Sequence, residues 1–259
     1  MTMTRRTFGG ALAAMAVPGR KLNLGIGTYT YHSLSMDDMI VQLQRLQIRE
    51  VEMSRGEFML FSKPPDERFE SARAKFDKAG IRCVSYYTAT IKDDRELDTA
   101  IHGARLLGAT NITGDATGDI LKRIDERCTA EKLTFGIHNH YFKDKFAYES
   151  PEDLLRGLAG RSPTMGVSLD IGHIASCGFD TVDAVRKLSH LLKMVHLKDI
   201  EASGGEVNVL LGKGIARIPE VLQELRKANY AGLVAIEYEK EGNVEEDIRL
   251  EVEYARKLL

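Results

Sequence analysis

Arg82-Cys83-Val84-Ser85-Tyr86-Tyr87 is a β-rich run. It leads into a segment whose apolar residues Leu97, Ile101, Ala104 and Leu107 recur at every third or fourth position, closes at Gly108, and restarts as Asn111-Ile112-Thr113. The first and last pieces predict strands, and the three-to-four step predicts a helix with one buried face. Glycine suits the left-handed residue that ends such a helix. A helix that carries the chain back over a sheet starts the next strand in the same direction, so the two strands are parallel.

The same unit repeats in both directions. Upstream, residues 22–29 predict a first strand, 36–46 a helix and 49–53 a second strand. A helix on Phe69, Ala72, Phe76 and Ala79 then ends at Gly80. Downstream, residues 120–130 read as a helix and residues 133–138, 165–170, 194–198 and 233–239 as strands. Helices follow these strands at 151–158, 181–192, 218–229 and 244–257. Eight strands alternating with eight helices, with no Pro/Gly/Ser-rich linker between them, predict a single (β/α)8 TIM barrel over residues 21–259. A doubly wound open sheet is the alternative. Gly25-Ile26-Gly27 runs into Thr28-Tyr29-Thr30, with a bulky Tyr where a third glycine would be needed, so a dinucleotide site is not expected.

Composition excludes other classes. With 36 Lys+Arg against 38 Asp+Glu the net charge is −2, so no basic field favours nucleic acid. Cys83, Cys128 and Cys177 lie far apart, which predicts neither a disulfide framework nor a zinc finger. No apolar run approaches the roughly 20 residues of a membrane span. Residues 1–20 differ from the rest: Thr4-Arg5-Arg6-Thr7-Phe8, an uncharged small-residue stretch and Ala14-Met15-Ala16 resemble a twin-arginine export signal with its cleavage site. The expectation is a periplasmic or exported protein. The alternative is a disordered N-terminus on a cytoplasmic one.

In a barrel the chemistry sits at the C-terminal ends of the strands. Strand five ends in His138-Asn139-His140, strand six in Asp170-Ile171-Gly172-His173, strand seven in His196-Leu197-Lys198-Asp199 and strand eight in Glu237-Tyr238-Glu239. Four of the seven histidines fall at these ends. Singly, each could be a hydrogen-bonded structural residue. Together on consecutive strands they predict a divalent metal site, and mixed nitrogen and oxygen donors suit Mn, Zn, Co or Fe rather than Ca.

These residues resemble the sugar phosphate isomerase/epimerase family of xylose-isomerase-like barrels. The resemblance runs over essentially the whole chain after the N-terminal segment. Its most specific pieces are Leu169-Asp170-Ile171-Gly172-His173, Val195-His196-Leu197-Lys198-Asp199, and the run from Leu211-Gly212-Lys213-Gly214 to Ile236-Glu237-Tyr238-Glu239. The resemblance implies a metal held at the ends of strands five to eight, here His138, Asp170, His196 and Glu237. His138 departs from the pattern, which carries glutamate there, and puts a symmetric two-glutamate epimerase in doubt.

The activity implied is proton abstraction α to a carbonyl of a sugar or keto-sugar, leading to isomerisation, epimerisation or elimination, with elimination slightly favoured. Glu237, His140 and Lys198 are the candidate catalytic residues. His173, Lys198, Glu52, Tyr87 and Tyr29 are candidates for substrate binding. Glu239 is held in reserve, expected to face the helix layer. The partner expected is a small carbohydrate, with no nucleic acid and room for a homo-oligomer. A noncatalytic sugar-binding barrel and, more remotely, a phosphodiester-cleaving nuclease are the competing readings.

Overall fold

The computed structural model of the chain describes residues 21–141 and 148–259. The expected export segment, residues 1–20, lies outside the described residues. Eight parallel strands close into a barrel: β1 Asn23–Gly27, β2 Glu50–Met53, β3 Arg82–Thr90, β4 Asn111–Asp115, β5 Thr134–His138, β6 Met165–Asp170, β7 Leu192–Leu197 and β10 Leu233–Ile236. β10 pairs with both β7 and β1, and β1 pairs with β2, which shuts the cylinder. Between the strands run α1 Met36–Arg45, α2 Asp66–Ala79, α3 Asp94–Leu107, α4 Ile120–Glu131, α5 Pro151–Leu158, α6 Ile171–Ser176, α7 Thr181–Leu188 and α8 Ile218–Lys227. α9, Val244–Leu258, follows the last strand. The TIM barrel expected from the repeat is the fold observed.

Local chemistry explains the punctuation. Gly80 and Gly108 both adopt the left-handed conformation that ends α2 and α3 (φ 68° and 72°). On α3, Leu97, Ala100, Ile101, Ala104 and Leu107 are all buried, the single apolar face its periodicity predicts. Each large side chain so buried is worth about 1.5–3 kcal/mol.

Several boundaries differ from the sequence expectation, and the differences matter for the site. β4 continues past Thr113 through Gly114 to Asp115, so this strand also ends in a carboxylate. β1 stops at Gly27 and gives way to a 3-10 turn, Thr28–Tyr31. α7 ends at Leu188, and β7 begins at Leu192. Other elements near the barrel mouth were not expected at all. The Asp170 side chain accepts the backbone N–H of His173 at 2.9 Å and starts α6 directly off the strand end. A small antiparallel pair, β8 Asp199–Ile200 and β9 Asn208–Val209, stands beside the barrel mouth.

The barrel interior departs from the apolar filling that is general for such barrels. Ser85 Oγ and Thr113 Oγ1 lie 3.0 Å apart, and Thr113 Oγ1 and Ser168 Oγ 2.9 Å. This hydroxyl row crosses β3, β4 and β6 beneath the C-terminal mouth and satisfies its own polar atoms, as buried polar groups must.

Candidate metal centre

Register brings the site together. Asp170 on β6 sits directly beside His196 on β7, and His138 on β5 beside Ser168. One ligand atom each from His138, Asp170 and His196 falls within 4.8 Å of the others, and all three residues are buried. Glu237 reaches the same point, its Oε2 3.4 Å from His196 Nδ1. The predicted four-residue set is therefore assembled. A second histidine group, His138, His140 and His173, adjoins it and shares His138.

Buried atoms that lack hydrogen-bond partners mark the centre. Among the described residues these include His138 Nδ1, Asp170 Oδ2 and His196 Nδ1. Each such atom costs about 1–3 kcal/mol if nothing satisfies it. Lys198 Nζ stands 3.1 Å from Asp170 Oδ2, an ion pair without hydrogen-bond alignment. Unpartnered imidazole nitrogen and carboxylate oxygen converging from adjacent strands fit a divalent ion with mixed donors.

The other side of His196 is occupied. Its Nε2 contacts Glu52 Oε2 at 2.6 Å, and Glu52 Oε1 accepts Ser85 Oγ at 3.0 Å. A carboxylate behind one imidazole nitrogen fixes the ring so that the other nitrogen faces the ligand set. Glu52 was expected to bind substrate. It is fully buried, absent from the cavity lining, and both its oxygens are engaged by His196 and Ser85.

Charge is concentrated here. Burial would lower the His196 pKa, but Glu237 and Glu52, with Asp170 behind them, outweigh it and push the imidazole up to about 9. Burial likewise opposes the charge on Lys198, yet Asp170, Glu237 and Glu239 hold its ammonium well above the ordinary lysine range. Glu237 is raised by burial and lowered more strongly by His196 and Lys198, ending below the usual carboxylate value. By contrast, burial depresses His138 and His173 well below the ordinary histidine value, with neighbouring histidines and Lys198 adding to the effect, so both rings are neutral.

The remaining expected residues divide clearly. Tyr29, Tyr87, His140 and His173 line a cavity of about 500 Å³ above the centre, together with His138, His196 and Glu237. Lys198 does not open onto it. Its ammonium lies 3.0 Å from Glu237, 2.7 Å from Glu239 and 3.3 Å from His173 Nε2, with its side chain fully buried. Gly172 makes this possible, since a Cβ there would stand 2.7 Å from Lys198 Cγ.

Glu239 does not face the helices, because the chain has left β10 at Ile236 before it. It turns into the cavity with Glu237, while Tyr238 between them points outward and donates to Asp247 on α9.

Two contributors were missed. Asp115 Oδ1 lies 2.7 Å from His140 Nε2. Its signal in the sequence is a carboxylate two residues beyond Thr113. Tyr141 packs its ring 3.9 Å from that of His173, and no periodicity announces it.

A family profile described as xylose isomerase-like TIM barrel matches residues 42–258. The chain belongs to that family. Among solved structures, an uncharacterised protein from Parabacteroides distasonis is 26% identical with a TM-score of 0.68, covering 92% of this chain and 99% of its own. The 3-keto-D-glucoside 4-epimerase YcjR from E. coli is 12% identical (TM-score 0.72; 92% and 100% covered). The IolI protein, solved with a zinc atom, is 12% identical (TM-score 0.73; 91% and 97%). At 12% identity these last two share the fold alone. No curated protein matches the sequence. The xylose isomerase-like fold thus includes sugar-modifying enzymes, and the histidine and aspartate cluster here is compatible with metal binding.

Proposed function

We propose that the protein is a divalent-metal-dependent enzyme that removes the proton α to a carbonyl of a sugar or keto-sugar. The observation that carries this reading is the convergence of buried, unpartnered donor atoms from His138, Asp170 and His196 on one point beside Glu237. These four residues would hold the ion. A bound divalent cation supplies Lewis-acid polarisation of adjacent carbonyl and hydroxyl oxygens, which acidifies the neighbouring C–H.

The chain's own groups do the rest. His140 lines the cavity and is oriented by Asp115, an imidazole–carboxylate arrangement suited to taking and returning a proton. Glu237 approaches from the strand end on the other side of His196. Lys198 holds Asp170, Glu237 and Glu239 in place and offsets their mutual repulsion. With histidine rather than glutamate at position 138, two matched carboxylates do not face each other across the site. Elimination from a keto-sugar, or isomerisation, suits this asymmetry better than a symmetric epimerisation.

Elemental analysis of the purified protein, followed by a keto-sugar and aldose panel in D2O read by NMR at the α carbon, tests the proposal. The expected result is one divalent ion per chain and α-proton exchange. In the His196→Ala variant the ion and the exchange should be lost together, with turnover down at least about 1,000-fold because several kcal/mol of charge stabilisation disappear. Exchange retained in that variant would overturn the site assignment. Metal without exchange on any sugar would favour a noncatalytic sugar-binding barrel.

A further inference from the structure

The cavity has two unlike walls. The histidines, Glu237 and Glu239 form one. The other is built from the loop after β2 and the end of β3, where Met59, Phe61 and Tyr87 present apolar or aromatic surface. Phe61 is 69% exposed. A single exposed phenylalanine is ordinary on a protein surface. This one stands on backbone that is held from several sides.

Phe58, in the same loop, is buried and packs edge-on against Phe69 at 5.4 Å. Tyr86 Oη donates to Phe58 O at 2.6 Å, Ser62 Oγ to Gly56 O at 2.6 Å and Arg68 Nη1 to Glu57 O at 2.8 Å. The loop therefore spends buried apolar area and hydrogen bonds on a fixed path, and that path leaves a bare aromatic ring at the cavity rim.

We propose that Phe61, with Met59 beneath it, forms a subsite for a second ring linked to the reacting sugar, so that the substrate class is a glycoside rather than a free monosaccharide. This rests on the proposed sugar chemistry of the same cavity. The volume of about 500 Å³ lies in the range of roughly 300–1,000 Å³ that encloses drug-sized ligands, and one hexose ring leaves much of it empty. A ring joined through the glycosidic oxygen to a sugar at the metal centre extends toward the rim, where a flat apolar face meets Phe61. Aromatic side chains bind such faces through area burial and offset or edge contact.

Binding of methyl glucosides, phenyl glucosides, cellobiose and maltose to the metal-loaded protein, measured by calorimetry, tests this. The phenyl or disaccharide ligands should bind several-fold to about tenfold more tightly than the methyl glucoside of the same anomer. Phenyl and disaccharide arms separate an aromatic from a sugar second ring. In Phe61→Ala that ratio should fall toward one, and in Phe61→Trp it should be kept. The chain has no tryptophan. The F61W variant therefore carries a single indole whose emission should respond to the two-ring ligands and not to the methyl glucosides.

No preference in the wild type, or a preference unchanged in F61A, would overturn the subsite. If sugars still bind or exchange with metal present, the catalytic reading then stands without it. Absence of all sugar binding and exchange by the metal-loaded protein would sink both.

Discussion

The two mouths of the barrel are made by the same strands and enclose cavities of similar size, about 500 Å³ at the C-terminal end and about 470 Å³ at the N-terminal end. Both are polar. They differ in whether the polar groups satisfy one another. At the N-terminal end the Glu50 carboxylate is shared between Asn23 and Arg82. Asn111 there donates to Ser85 Oγ at 3.0 Å and accepts from Thr134 Oγ1 at 2.7 Å.

None of these side chains has a buried atom left without a hydrogen bond, whereas His138, Asp170 and His196 at the other end each have one. A polar cavity whose groups are already paired has little to offer a ligand. A cavity whose groups stay unpaired has been left so at a cost in stability, and that cost points to a ligand.

The comparison can be broken most severely at Glu52. It is buried in the layer below the C-terminal centre, bonded on one side to Ser85 and on the other to His196. If its role is to aim His196, Glu52→Gln should weaken metal binding about 10–100-fold while the fold persists. Titration of the metal-free protein with Co(II), followed by its visible spectrum, would measure this. Unchanged affinity would reduce Glu52 to one more satisfied buried polar group, like those at the opposite mouth.

An orphaned atom is not by itself a site, and Glu251 supplies the contrast. This residue on α9 is buried, accepts Leu211 N–H at 3.0 Å through Oε1, and leaves Oε2 without a partner. Burial pushes its carboxyl up to about 8, with Asp199 and Asp247 adding to the effect and the Leu211 hydrogen bond opposing it. The folded chain thus keeps a proton that the unfolded chain releases near the ordinary carboxylate value. Its stability is fully present below about pH 4 and is lost as pH rises through about 8.

Glu251→Gln keeps the acceptor and removes the ionisation. It should leave Tm nearly unchanged at pH 5 and raise it at pH 9, by roughly 2–4 °C for each kcal/mol recovered. Parallel melting curves at the two pH values would decide. Protonation removes the charge of a lone buried carboxylate, whereas the convergence of three such atoms from adjacent strands is what the proposed cation rests on.

Legibility from sequence followed how local each signal was. The barrel could be read because helix periodicity and glycine C-caps, such as Gly80 and Gly108, are set by a few neighbouring residues. That His138, Asp170, His196 and Glu237 lie side by side could be read because strand ends are local features and barrel closure makes them converge. The contact of Glu52 with His196 could not be read, because the two are 144 residues apart. Asp115 was hidden by Gly114, which looks like the end of a strand but instead continues β4. The Phe61 rim depends on how a loop is pinned by Tyr86 and Arg68, residues that carry no mark of that task in the sequence.

The smallest effect is expected at the satisfied mouth. Arg82 is largely exposed, and its partner Glu50, although buried, also receives the Asn23 amide. Removing the guanidinium by Arg82→Ala takes away a solvent-screened ion pair, worth about 1 kcal/mol or less. It leaves the Glu50 carboxylate with one hydrogen bond and the cavity open to water. The melting temperature should fall by no more than about 4 °C, and metal content should match the wild type. A loss of metal from this variant would mean that the two mouths are coupled through the Ser85 and Thr113 hydroxyl row. The N-terminal end would then act on the centre from below, the part expected of Glu52.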